Sequence, residues 1–432
     1  MNARQPLAED NAQRLALEQA YRARVRRHLP RNFAANLAHG MLGLTGFRLV
    51  TAPTFVPAYI YLLSSSKLAV GLALAAQFIG MALSSIWGAT LIEHRRKVLP
   101  VVFSIGWLMR VQILGLALSA WLLEGWWALA AACLFLALFG LFNGVQSVAF
   151  AYLMSKVIPV DRRGSLTGLR NFLGGLIAAG VAWLGGRYLV GTNAFGNGYA
   201  STFMVAFILT SVGISALSFV REPKSPWVHP RTGLAQRLRQ VPALLRADPH
   251  YKRFFQARAL AALGTAALPF YAIYAGGGAA LSGAMLGYLS LAFLLAQTFS
   301  NLAWGALADR HGYRLVFLAS LALWIGATGG LLLAHEPGWV VLAFCGLGAG
   351  FGGYFVASQN LVLEFGASHD RPMLIAVSDT ASHLMMAAGP VLGGLIAQGF
   401  DFAWLFGAAI VLKSLALLMV LRLEEPRGRQ KD

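Results

Sequence analysis

The chain has 432 residues, of which 57% are hydrophobic and only 12% charged, and its mean hydropathy is +0.62; a soluble domain carries about a quarter charged residues. The formal net charge of +18 is confined to the tails and to the connections between apolar stretches, which points to a membrane protein and excludes nucleic-acid binding. Cys133 and Cys345 each lie inside an apolar stretch with no partner at metal-ligand spacing, so no disulfide, metal site or cofactor is expected.

From the amino end, Met1 to Arg31 is too polar, and too mixed in charge, for a cleavable secretory signal. Within it, Leu7 to Leu29 reads as a basic helix, lying on an anionic leaflet or solvated. Apolar runs then predict transmembrane helices near 33–63, 68–92, 99–123, 126–154, 165–187, 200–220, 254–275, 282–307, 314–334, 338–365, 372–398 and 402–422. Pro53 and Pro57 should kink the first. A Pro- and Arg-rich stretch divides these spans six and six. The expected organisation is a basic tail (1–32), a six-helix bundle (33–221), a linker (222–252), and a second six-helix bundle with a short tail (253–432). Within the linker, Leu234 to Leu245 has the pattern of a short basic amphipathic helix, again leaflet-bound or solvated. The fold class is an all-α membrane protein of twelve transmembrane helices in two pseudo-symmetric bundles.

An even number of spans puts both tails on one face. Of the 35 lysines and arginines, only Lys67 and Arg187 fall in connections on the opposite face; the linker count includes Arg258. Short basic loops resist translocation, so the tails and linker should be cytoplasmic, in a bacterial cytoplasmic (inner) membrane.

An internal repeat is visible at a shift of 209 residues. Asp161-Arg162 aligns with Asp370-Arg371, Gly180 and Gly185 align with Gly389 and Gly394, and Arg170 falls on Asp379. A second echo joins the loops after helices two and eight, Gly305-Ala306-Leu307-Ala308-Asp309-Arg310-His311-Gly312-Tyr313-Arg314 against Ala89 to Lys97. The first of these resembles the signature loop of the major facilitator superfamily, and the earlier copy is degraded, with Ala89 for glycine and Glu93 for aspartate. The resemblance implies an alternating-access transporter and a conformational latch made by Gly305, Asp309, Arg310, Gly312, Arg314 and Glu93. The alternative is a loop that only sets topology. Helix four reads Gly140-Leu141-Phe142-Asn143-Gly144, without the arginine of many drug/proton antiporters. The Gly-Pro-x-x-Gly-Gly of their helix five occurs here only in helix eleven, at Gly389 to Gly394. Multidrug/proton exchange is therefore disfavoured.

Away from loops and helix ends, the predicted spans hold the cations Arg48, Arg110, Arg170 and Lys413 and the anion Asp379. Each central charge costs about 2.5 to 3.5 kcal/mol on insertion scales, so such residues pair, face a cavity or act on a substrate. The excess of cations predicts a negatively charged substrate held by Arg48, Arg110, Arg170 and Lys413, since guanidinium donors suit carboxylate and phosphate oxygens. The structural alternatives are carbonyl binding at kinks for Arg48 and Arg110, pairing with Asp379 or Asp161 for Arg170, and snorkelling or pairing for Lys413. Asp379 and His383, one turn apart, form a candidate proton-coupling pair or a bonded structural one.

The leading expectation is a secondary transporter of a small organic anion working by alternating access, with proton coupling an option. A second reading is a flippase or transporter of an amphipathic anionic lipid, and a third is a membrane receptor or assembly partner without transport. An enzyme is not expected, because no nucleophile and base, metal cluster or phosphate loop stands at useful spacing.

Overall fold

The computed structural model describes residues 5–92, 95–225, 245, 248–277, 281–365 and 371–424. Of the predicted linker helix only Leu245 is among the described residues, and Glu93 lies outside them. Helix α1 (Gln5–Arg27) precedes the first crossing, and its last turn carries Arg24, Arg26 and Arg27, where cations complement the helix dipole.

Among the described residues, ten helices are long and apolar enough to span a bilayer. In chain order they are α4 (Lys67–Ile92), α5 (Leu99–Leu122), α6 (Gly125–Val157), α7 (Val160–Leu184), α8 (Gly198–Ala216), α11 (Gly283–His311), α12 (Tyr313–Leu333), α13 (Pro337–Leu361), α14 (Arg371–Gly399) and α15 (Phe402–Leu421). The other two crossings are broken helices, and each is the first crossing of its half. The first runs α2 (Leu29–Thr51) then α3 (Phe55–Ser64), interrupted at Pro53 and resuming with Pro57 in the first turn, where a missing donor costs nothing. The seventh runs α9 (Pro249–Leu263) into a tightened 3₁₀ stretch, Gly264–Phe270, that contains Pro269, and ends in α10 (Tyr271–Ala275). The twelve crossings form two six-helix bundles.

Packing within each bundle relies on small residues, as is usual where lipid removes the hydrophobic drive between helices. Gly80 and Gly140 bring the backbones of α4 and α6 together, and Gly348 and Gly350 do so for α13 against α11 and α12. At 33 residues, α6 is about 50 Å long, which exceeds a hydrocarbon core of about 30 Å. Its last turn thus reaches the membrane boundary.

The bundles meet along two seams, α4 against α14 and α7 against α11. Both chain ends emerge on one face, here called the tail face. Among the described residues, every hydrogen bond that joins the halves lies at or beyond the level of Arg48, toward the far face. Lys67 Nζ donates to the Ala397 carbonyl at 2.7 Å, the Leu68 amide and Ser66 hydroxyl donate to Gln398 Oε1 at 3.0 Å each, Ser290 donates to Thr54 Oγ1 at 2.8 Å, and Arg187 donates to Tyr288 at 3.2 Å. Gly186 and Gly191, in and just after a π-helical turn that ends α7, abut the backbone of Gly287 and Gly283. Toward the tail face the opposite holds: Gly164, Gly168 and Gly305 have open space where a side chain would stand. Among the described residues the halves are thus hydrogen-bonded at the far face and not at the tail face.

Candidate substrate-binding seam

The structure separates the predicted cations into two groups. Arg110, on α5, is buried inside the first bundle, and its donors go to main-chain oxygens: Nε to the Thr210 carbonyl at 2.6 Å and Nη1 to the Gly106 carbonyl at 2.5 Å. Lys413, on α15, has no exposed surface; its Nζ donates to the Gly264 carbonyl at 2.7 Å, where the seventh crossing tightens, and stands 4.3 Å from the centre of the Trp324 ring. Arg110 takes the carbonyl-binding alternative, and Lys413, for which snorkelling or pairing is the alternative, instead binds a main-chain carbonyl inside the second bundle.

Arg48 and Arg170 are placed differently. Arg48 reaches from α2 across the seam and donates to Thr298 Oγ1 of α11 at 3.3 Å. Arg170, on α7, packs against Gly40 and lies over the Phe150 ring at 4.8 Å; its Nη2 is 3.4 Å from Nδ1 of His39, and its Nε has no hydrogen-bond partner. Neither arginine is within 4 Å of a carboxylate among the described residues. Along α7, Arg170 and the Arg48–Thr298 contact, which touches Gly175, are about 7 Å apart at 1.5 Å per residue. His39 rests on Phe150, with ring centres 5.0 Å apart, and completes the polar lining at this level.

The second bundle carries an ion pair that sequence reasoning placed wrongly. Arg258, counted with the linker, is buried in α9; its Nη2 donates to Asp379 Oδ1 at 2.6 Å and its Nη1 to Ser378 Oγ at 2.7 Å. Asp379 therefore does not pair with Arg170, and Asp161 stands 3.8 Å from Arg162 on the surface instead. The Asp379 side chain keeps 38% of its surface exposed, and His383 lies one turn further along α14 with its Nδ1 buried and unpartnered. Asp379 and His383 do share one face, now with Arg258 as a third member. With Asp379 neutralised, the cations of the first bundle keep their surplus charge.

In the 305–314 loop, Gly312 adopts φ +84°, a conformation that favours glycine, and ends α11. Arg314 ties the loop to the end of α15, donating to the Val420 carbonyl at 3.2 Å and the Leu421 carbonyl at 2.9 Å. Asp309 and Arg310 are exposed. Another pair also escaped the sequence reading: Lys156 and Glu222, assigned to connections, are buried together at 2.5 Å.

The Major Facilitator Superfamily sequence profile matches residues 254–432. A multi-drug resistance efflux pump PmrA homolog of Lactococcus lactis is 29% identical over 157 residues, which is 36% of this chain and 38% of that protein. An "uncharacterized protein" of Mycobacterium tuberculosis is 26% identical over 312 residues, 69% of this chain and 59% of that one. The matched stretches thus span less than two thirds of these curated relatives. Among solved structures, a D-xylose-proton symporter aligns with a TM-score of 0.69 at 14% identity, over 92% of this chain and 98% of that one. The nucleoside transporter NupG aligns with a TM-score of 0.64 at 13% identity, over 89% and 99%. At such identities the structural likeness concerns the fold.

Proposed function

We propose that the chain is a secondary transporter of the major facilitator superfamily, whose sequence profile matches residues 254–432 and whose fold the whole chain resembles, and that it moves a small organic anion by alternating access. The observation that carries this reading is the pair Arg48 and Arg170: two intramembrane guanidinium groups without a carboxylate partner among the described residues, Arg48 bonded across the seam and Arg170 buried in the first bundle with its Nε unsatisfied. A carboxylate or phosphate ester satisfies that donor and offsets the cost of two desolvated cations. Their spacing suits a cargo with its anionic group at Arg170 and a second polar group at Arg48 and Thr298.

The positive-inside pattern supports a cytoplasmic tail face in a bacterial inner membrane. In that orientation the end of the seam without hydrogen bonds among the described residues opens to the cytoplasm and the cargo exchanges there. Arg48 links the two halves, so an anion that draws Arg48 and Thr298 together acts on both bundles at once. Rocking then closes the tail face, where Asp309 and Arg310 stand exposed and ready to form the latch that the signature loop implies. Arg258, Asp379 and His383 supply a coupling site: a proton on Asp379 loosens its bond to Arg258, and the partly exposed carboxylate has access to the open side. No covalent change to the cargo is involved.

The test is uptake into proteoliposomes of carboxylates and phosphate esters against neutral analogues, with Arg48→Gln and Arg170→Gln variants checked for monodispersity. Loss of a charge-assisted contact should lower anion uptake at sub-saturating concentration by about tenfold or more. Uptake of neutral and anionic solutes that is equal in all three proteins would remove the anion from the reading.

A further inference from the structure

A cavity of about 520 Å³ opens on the tail face of the first bundle, away from the seam, between the end of α1, the start of α5 and the stretch that follows α8. This volume is in the range of small-ligand sites, about 300 to 1,000 Å³. Its charged lining is Arg24, Lys97, Arg221 and Lys224, with His28 beside them, and its single acidic residue is Glu222.

That carboxylate is already spent. One oxygen accepts from Lys156 Nζ at 2.5 Å and the other from the Leu99 amide at 2.8 Å, both accept from the Val98 amide at 2.9 Å, and the side chain is 2% exposed. Glu222 therefore builds the wall and leaves the four cations uncompensated. The wall is rigid, because the Arg96 carbonyl accepts from both Lys156 Nζ and the Ser225 amide, and Asn32 clamps the main chain of Arg221 on both its polar groups. The remaining surface comes from Leu99, Pro100, Val220 and Pro223, the first two being the opening residues of a membrane-spanning helix. The cavity thus sits where bilayer headgroups lie, with an apolar floor under a basic rim.

We propose that this cavity binds a phosphate group, from an anionic phospholipid headgroup or from free phosphate. Arginine forks and lysine point charges match phosphate oxygens, and the floor accepts the first carbons of a lipid.

The experiment uses the full-length protein in a neutral detergent, with binding read by native mass spectrometry and thermal shift. The probes are dihexanoyl phosphatidylglycerol, inorganic phosphate, and dihexanoyl phosphatidylcholine as a net-neutral control. Arg24→Gln/Lys224→Gln removes two exposed cations, and Lys97→Glu reverses a third; both leave the Lys156–Glu222 wall intact. The expected result is saturable binding of phosphatidylglycerol, none of phosphatidylcholine, and a loss of about tenfold or more in either variant. Free phosphate that binds with the same sensitivity to the variants assigns the site to the soluble ion, and its failure to bind assigns the site to lipid. Binding of both anionic probes that is unchanged in both variants, or absent from the native protein, overturns the proposal.

Discussion

Gly175 of α7 and Thr298 of α11 face each other so closely across the seam that a methyl group on the glycine would overlap the threonine hydroxyl and crowd the Arg48 guanidinium. Gly175→Ala should therefore push the bundles apart at the level where they now touch, a strain of about 1 to 3 kcal/mol. Cysteines placed in the far-face connections should become more reactive to a membrane-impermeant thiol reagent in this variant. Adding Thr298→Ala, which removes the overlapping hydroxyl, should return reactivity part of the way. Unaltered labelling in Gly175→Ala would mean that the seam yields there without resistance.

Arg110 and Lys413 should behave as structural cations. Arg110→Gln and Lys413→Gln each leave a buried carbonyl short of its donor, which costs about 1 to 3 kcal/mol. The melting temperature in detergent should fall in both, while the half-saturation concentration for transported cargo stays within about twofold of the native value. A large rise in that concentration at native stability would place either residue in the binding site after all.

For Arg258 and Asp379 the expected pattern is asymmetric. Asp379→Asn leaves a desolvated guanidinium without its counter-charge, and losing one partner of a buried pair costs up to about 3 to 5 kcal/mol, reduced here by the partial exposure of the carboxylate. The double change Arg258→Met/Asp379→Leu should recover most of the lost thermal stability. If the pair also couples protons, the double variant regains stability yet its uptake no longer responds to an imposed pH gradient. Retention of that response would detach coupling from this site.

Tyr21 offers a pH test of the α1 anchor. Its hydroxyl donates to the Lys156 carbonyl at 3.1 Å, and burial, then the nearby charges of Glu222 and Tyr152, push its pKa above the usual tyrosine value, with Arg163 opposing. A raised pKa in the folded state means that its contribution is complete below the ordinary tyrosine pKa of about 10 and is lost only as pH rises through the higher, folded value. Amide exchange in α1 should thus accelerate in strongly alkaline solution in the native protein. Tyr21→Phe should show fast exchange already at neutral pH and less further change.

The arrangement of spans was legible because lipid imposes a simple rule on sequence: long apolar runs, basic connections on one face, and prolines where a helix gives way. Pro53 marked a real break. Arg258 was hidden because it follows Lys252 and Arg253 closely and so looked like the edge of a basic linker, and because its partner Asp379 is 121 positions away. Lys156 and Glu222 were missed since α6 runs past the predicted end of its span, carrying the lysine into a packed boundary. The repeat that set Arg170 against Asp379 aligned equivalent positions in two bundles, which says nothing of contact between them. Which arginines keep free donors depends on where helix carbonyls happen to point, and no one-dimensional pattern encodes that.

At the far face the α7–α11 seam meets through main chain, Gly186 with Gly287 and Gly191 with Gly283, beside the side-chain bonds that close the α4–α14 seam. Main-chain atoms have no rotamers to swing aside, so this seam does not admit an intermittent file of water through side-chain motion alone. A transporter that idles in this posture would leave the proton-motive force of its membrane undrained, and enlarging any of the four glycines should appear first as a leak current before it alters cargo movement.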